Sequence, residues 1–159
     1  MTRLINLTLP KNMKTKILAS FLALAFSAAV HAEAPQGWTE DYAKALEQAK
    51  TEHKQVLLDF TGSDWCGWCK KLDAEVFSTP KFQEYASKHL VLVQVDFPKQ
   101  KQLSAEVKAQ NDKLAKQHKV QGYPTVIVLG THGKKVGELS YMPGGPDAFI
   151  AALKKLPKS

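Results

Sequence analysis

Both cysteines of this chain fall within one five-residue stretch, Trp65-Cys66-Gly67-Trp68-Cys69. Two thiols cannot staple a small disulfide scaffold, and they cannot supply a four-cysteine metal site. A chain of 159 residues, 44% of them hydrophobic, must therefore be held by a core of its own. The flanks of the pair say where it sits relative to that core. Residues 56–60 (VLLDF) are a short apolar run broken by one acid, Asp59, and read as a buried strand. Gly62-Ser63-Asp64 interrupts the run, and helical spacing resumes with Cys69, Leu72 and Val76. The dithiol is expected at the start of a helix that follows a buried strand.

That position has chemical consequences. The first turn of a helix has backbone N–H groups without helical partners, at the positive end of the dipole. Such a setting lowers a thiol pKa, so Cys66 is the expected nucleophile. Cys69 lies one turn deeper and is expected to be less exposed. Two intervening residues put both sulfurs on one turn, within reach of a small disulfide ring. So short a loop constrains the unfolded chain little, which makes stabilisation a weak reason for the pair. Exchange suits it better: Cys66 attacks a substrate disulfide and Cys69 resolves the mixed disulfide. A zinc site would need two of His53, His89, His118 and His132. These fall in separate predicted elements with no second pair at ligand spacing, so no metal is expected.

The rest of the chain alternates helix and strand signals. Tyr42, Ala45, Leu46 and Ala49 predict an amphipathic helix over 40–53, capped by Thr39, with no clear strand before it. Thr79-Pro80 starts a short helix with Phe82, Tyr85 and Ala86 on its apolar side. Residues 90–97 (LVLVQVDF) predict a strand, and 104–118 a helix with Val107, Leu114 and Ala115 on one side. Residues 125–129 (TVIVL) predict a buried strand, and 135–141 its hairpin partner, bulged at Gly137. Gly144-Gly145-Pro146 precedes a last helix carrying Phe149, Ile150 and Leu153. Phe97 and Tyr141 are expected in the core. The order α-β-α-β-α-β-β-α predicts an α/β fold. Strands separated by helices pair in parallel and the last two form a hairpin, giving a central mixed β-sheet with helices on both faces.

The net charge of +7 is concentrated at the front. Residues 1–32 hold Arg3, Lys11, Lys14 and Lys16 and no acid. Residues 17–30 (ILASFLALAFSAAV) are apolar or small throughout, but too short for the roughly 20 residues that a membrane-spanning helix needs. A basic flank, a short apolar run and Val30-His31-Ala32 predict a signal peptide over 1–32, cleaved after Ala32. Met13 offers a second start directly before the apolar run. The mature domain, 33–159, is then periplasmic or secreted, and no later segment is apolar enough to span a membrane. Its paired lysines (Lys99/Lys101, Lys134/Lys135, Lys154/Lys155) are scattered without interleaved aromatics, so no nucleic-acid partner is expected.

An ordered set of motifs carries a resemblance over residues 55–157. A strand ends in Asp59-Phe60, and Trp-Cys-Gly-X-Cys-Lys follows at Trp65 to Lys70. Gly-X-Pro-Thr opens a strand at Gly122-Tyr123-Pro124-Thr125, and Gly144 or Gly145 precedes the last helix. The chain resembles the thioredoxin superfamily. Within it, it is similar to exported bacterial thioredoxin-like proteins that resemble the periplasmic C-terminal domain of the electron carrier DsbD. The resemblance implies a thioredoxin fold and dithiol–disulfide exchange at Cys66 and Cys69. It implies a buried acid that helps deprotonate the second cysteine, and a cis Tyr123-Pro124 bond beside the dithiol whose preceding backbone pairs with bound peptide. Trp65 and Trp68 are expected to form the substrate-facing rim with Tyr123 and Pro124. Three features depart from an ordinary thioredoxin. Residues 61–64 are one residue longer, so Asp59 is the expected proton acceptor for Cys69 with Asp64 the neighbouring candidate. No lysine occurs in 91–95, and Gly67-Trp68 stands where Gly-Pro is usual.

The expected function is an exported thiol–disulfide oxidoreductase, monomeric and without a bound cofactor. Its partners are protein disulfides or dithiols and a second redox protein that supplies or takes electrons. The competing reading is a non-catalytic thioredoxin-like binding or chaperone module, against which the intact cysteine pair argues.

Overall fold

The computed structural model describes residues 34–157. The predicted leader, its cleavage site at Ala32 and both candidate starts lie outside the described residues. One sheet has strands β1 (Trp38–Thr39), β2 (Gln55–Thr61), β3 (Leu90–Asp96), β4 (Thr125–Leu129) and β5 (Lys135–Leu139), in spatial order β1-β3-β2-β4-β5. Five helices flank it. They are α1 (Tyr42–Glu52), α2 (Gly67–Leu72), α3 (Pro80–His89), α4 (Ala105–His118) and α5 (Gly145–Lys154). Helix α2 runs on into a π-helical turn, Asp73–Phe77.

The two central strands are apolar on both faces because both faces are covered. Val56, Leu58 and Phe60 of β2 join Val91, Val93 and Val95 of β3 beneath α1 and α4, where Ala45, Ala49 and Leu114 meet them. Leu57, Leu90 and Leu92 point the other way, against Leu72, Val76, Phe77, Phe82 and Phe149. Side chains alternate between the faces of a strand. Asp59 and Thr61 therefore share the face of Leu57, the face that α2 covers. The sequence placed most of these elements within two residues.

Four expectations need correction. A short first strand does precede α1: Trp38 and Thr39 pair in parallel with Leu92 and Val93. Two residues are too few for an alternating pattern to show. Because Thr39 belongs to that strand, Asp41 caps α1 instead, accepting from the Lys44 N–H at 2.9 Å. Strand β4 runs antiparallel to β2 although helix α4 precedes it. Phe97, just past β3, stacks on Tyr123, just before β4, at 5.2 Å, so the connection returns the chain to the end of the sheet it left. The hairpin irregularity lies between Val128 and Leu129, opposite Lys135 and Gly137, which makes Val136 the extra residue. Gly137 stays in register with Val128. Its missing Cβ leaves room for the Leu156 side chain, which would otherwise lie 2.5 Å away.

Candidate active site

The end of β2 and the start of α2 are joined by a tight turn. The carbonyl of Gly62 accepts from the N–H groups of Cys66 (2.8 Å) and Trp65 (3.2 Å). A Cβ on Gly62 would lie 2.5 Å from the Trp65 indole, so only glycine lets that ring rest on the turn. The indole N–H of Trp65 donates to the Phe97 carbonyl at 2.8 Å, and its ring meets Tyr123 edge-on at 6.0 Å. Trp65 is 40% exposed. Trp65, next to Cys66 in the chain, is thereby joined to Tyr123, which precedes β4.

Cys66 is the N-cap of α2, and its Sγ accepts from the Cys69 N–H at 3.2 Å. The two cysteines are joined as a disulfide with Cα atoms 5.3 Å apart. The expected contrast in exposure is small: 7% for Cys66 and 5% for Cys69. What separates the cysteines is their surroundings. Cys69, with Asp59, Thr61, Gln94, Lys70 and Asp73, lines a cavity of about 190 Å³.

The two candidate acids are placed very differently. Asp59 is 8% exposed, and its Oδ1 has no hydrogen-bond partner. Burial pushes its carboxyl up to about 8, helped by the charges of Asp73 and Asp96. Across from it on β3, Gln94 stands in register, and Gln94 Oε1 is likewise buried without a partner. Asp64 instead points out of the turn. Its carboxylate accepts from the backbone N–H groups of Lys99 (3.0 Å), Gln100 (2.7 Å) and Lys101 (3.1 Å). Those bonds, the Lys99 one foremost, hold the Asp64 carboxyl below its ordinary range. Asp64 pins the chain after β3 to the dithiol turn, whereas Asp59 shares a cavity with Cys69.

Sequence reasoning passed over Asp96. It is fully buried and accepts from the Ser63 N–H (2.9 Å) and hydroxyl (2.5 Å), fixing the turn from the other side. A signal was present, since Asp-Phe ends both parallel strands, at Asp59-Phe60 and at Asp96-Phe97. Tyr141, expected in the core, lies at its edge. Its hydroxyl donates to Glu75 at 2.8 Å, which a fully buried ring could not do here. Phe97 is likewise half-buried, packed against the core from its rim. Among the described residues Trp68 is the most exposed large apolar side chain, at 58%, and its ring lies 5.1 Å from that of Tyr141. The Tyr123-Pro124 bond is cis. Pro124 is buried and directly precedes β4, whose first residue, Thr125, pairs with Phe60 at the end of β2.

A dithiol pair at the N-terminus of a helix, able to close and open its own S–S bond, can exchange disulfides with another molecule. Fold and site together define a thiol–disulfide oxidoreductase of thioredoxin fold. The chain belongs to the thioredoxin-like domain family, whose model matches residues 42–157. It is 38% identical to the disulfide bond reductase DsbH of Chlamydia pneumoniae over 72% of its own length and 69% of that protein. The solved structure titled DsbH Oxidoreductase superposes with a TM-score of 0.71 at 37% identity, covering 77% of this chain and 85% of that one. It is also 37% identical, over 71% of its length, to the thiol:disulfide interchange protein DsbD of Photorhabdus laumondii, of which it spans only 19%. The reduced C-terminal domain of Neisseria meningitidis DsbD superposes at a TM-score of 0.52 and 26% identity, covering 71% of this chain and 91% of that domain.

Proposed function

We propose that the protein is an exported reductase of protein disulfides, recharged by a second redox protein. The observation that carries this is the cavity shared by Cys69 and Asp59. In the reduced enzyme the Cys66 thiolate attacks one sulfur of the substrate disulfide. That S–S bond breaks, a mixed disulfide forms, and the released substrate sulfur takes up a proton. Cys69 then passes its proton to Asp59 in the ionised fraction of the enzyme, which grows as pH rises toward 8, and attacks Cys66 Sγ. The second substrate sulfur leaves as a thiolate and takes up a proton from solvent, and two electrons have moved from enzyme to substrate. When the partner's thiolate reopens the Cys66–Cys69 bond, Asp59 returns the proton to the departing Cys69 sulfur. A carboxyl near 8 suits both directions, because its proton affinity is close to the roughly 8.5 of a free thiol.

Trp65, Trp68, Tyr123 and Pro124 form the rim on which the substrate chain rests, and the enzyme works as a monomer. The reducing direction is supported by the name of the Chlamydia relative, a disulfide bond reductase. Export is supported by the basic flank, the apolar run 17–30 and the Val30-His31-Ala32 site. The test is a measured reduction potential together with two variants. A value near thioredoxin's, about −270 mV, is expected, while one near DsbA's, about −120 mV, reverses the direction. Cys66→Ser should abolish turnover of a disulfide substrate, and Cys69→Ser should accumulate mixed disulfides. Trapping by Cys66→Ser instead would exchange the two roles.

A further inference from the structure

Trp68, between the two cysteines, is not held by its own helix alone. Tyr141, from the segment between β5 and α5, lies against it with ring centroids 5.1 Å apart. The Lys71 ammonium sits over both rings, 5.3 Å from the Trp68 centroid and 5.1 Å from that of Tyr141. Glu75 closes the cluster, accepting from the Tyr141 hydroxyl at 2.8 Å and lying 3.8 Å from Lys71. Trp68, Lys71 and Glu75 come from α2 and the π-helical turn that continues it. A π-helical turn is a recurrent mark of functional sites. Here the segment aligns Glu75 with the residues before it.

We propose that Tyr141 is a positioning residue for substrate recognition, holding the exposed Trp68 ring as a fixed platform beside Cys66. The inference rests on the oxidoreductase reading of the site. A protein disulfide that reaches Cys66 must approach across its neighbours, and Trp68 offers the largest exposed apolar surface there. A free indole would have to be immobilised when substrate binds, at a cost that weakens affinity. Tyr141, Lys71 and Glu75 impose that order beforehand. A side chain that only positions the platform changes how tightly a protein substrate binds. It does not change the sulfur chemistry.

The experiment uses the prereduced protein and follows its oxidation against concentration of two disulfides, insulin and the small hydroxyethyl disulfide. Tyr141→Ala is expected to raise the half-saturating insulin concentration about threefold to tenfold, the effect of freeing one such side chain. The limiting rate should stay within about twofold, as should the rate with hydroxyethyl disulfide, which is too small to span the platform. Tyr141→Phe keeps the ring and should recover most of the loss. Lys71→Met, on the helix surface, provides a second variant should Tyr141→Ala fold poorly, and it should act in the same direction. Equal slowing with both disulfides, or no change with either, overturns the inference and leaves the oxidoreductase reading standing. Failure of the unmodified protein to react with either disulfide overturns both.

Discussion

A carboxyl whose pKa is about 8 keeps its proton in the folded protein where the unfolded chain, near 3.8, has lost it. The folded state of Asp59 then binds more protons than the unfolded state between about pH 4 and 8, so stability falls as pH rises through that window. Asp59→Asn removes this slope. The variant should match the parent near pH 4 and exceed it by a few kcal/mol at pH 8 when the oxidised proteins are unfolded in urea. A stability difference that is constant with pH would contradict the raised pKa. The same variant cannot take the proton of Cys69. Decay of the mixed disulfide should slow by about a hundredfold, within the usual range for losing a general base.

At the scale of elements, the dithiol turn is fixed by segments that arrive from elsewhere in the chain. Asp96 holds it through Ser63, and Asp64 ties it to the segment after β3. Asp64→Asn weakens three backbone hydrogen bonds at once. The amides of Lys99, Gln100 and Lys101 should then exchange with solvent faster, while those of β2 stay protected. The direction of the pKa shift adds a pH dependence. The Asp64 carboxyl is depressed, so the tie is complete above the ordinary carboxylate range and is lost as pH falls through the lowered value. Hydrogen exchange at acid pH should therefore reproduce the variant's pattern in the unmodified protein. Protection that persists in both cases would show that the segment is held by Trp65 and Phe97 alone.

For the whole molecule, the core lies on both faces of one sheet, and the site lies at the end where β2 and β3 stop and β4 begins. Among the described residues no helix is long and apolar enough to cross a membrane. The export proposed above predicts a chain that starts after Ala32. Sequencing the N-terminus of the protein isolated from its own cells should read from Glu33. A chain that retains residues 17–30 would remove the export proposal. It would leave the dithiol chemistry intact, because none of the site residues lies there.

The amino-acid sequence by itself determined what short-range patterns encode. Five residues hold both thiols, Thr79-Pro80 starts α3, and the apolar runs mark β2, β3 and β4. Tertiary structure decided whatever depended on residues far apart in the chain meeting in space. The sequence offers Asp64 as a neighbouring candidate beside Asp59, and only the fold brings the Asp64 carboxylate to the Lys99 N–H, 35 residues away. The reversed entry of β4 followed from where α4 returned the chain, and the place of Tyr141 from a contact between α2 and the segment before α5. Helix caps and strand alternation are set by neighbours within a few residues. A carboxyl's environment and a ring's partner are set by burial, which exists only once distant segments have packed.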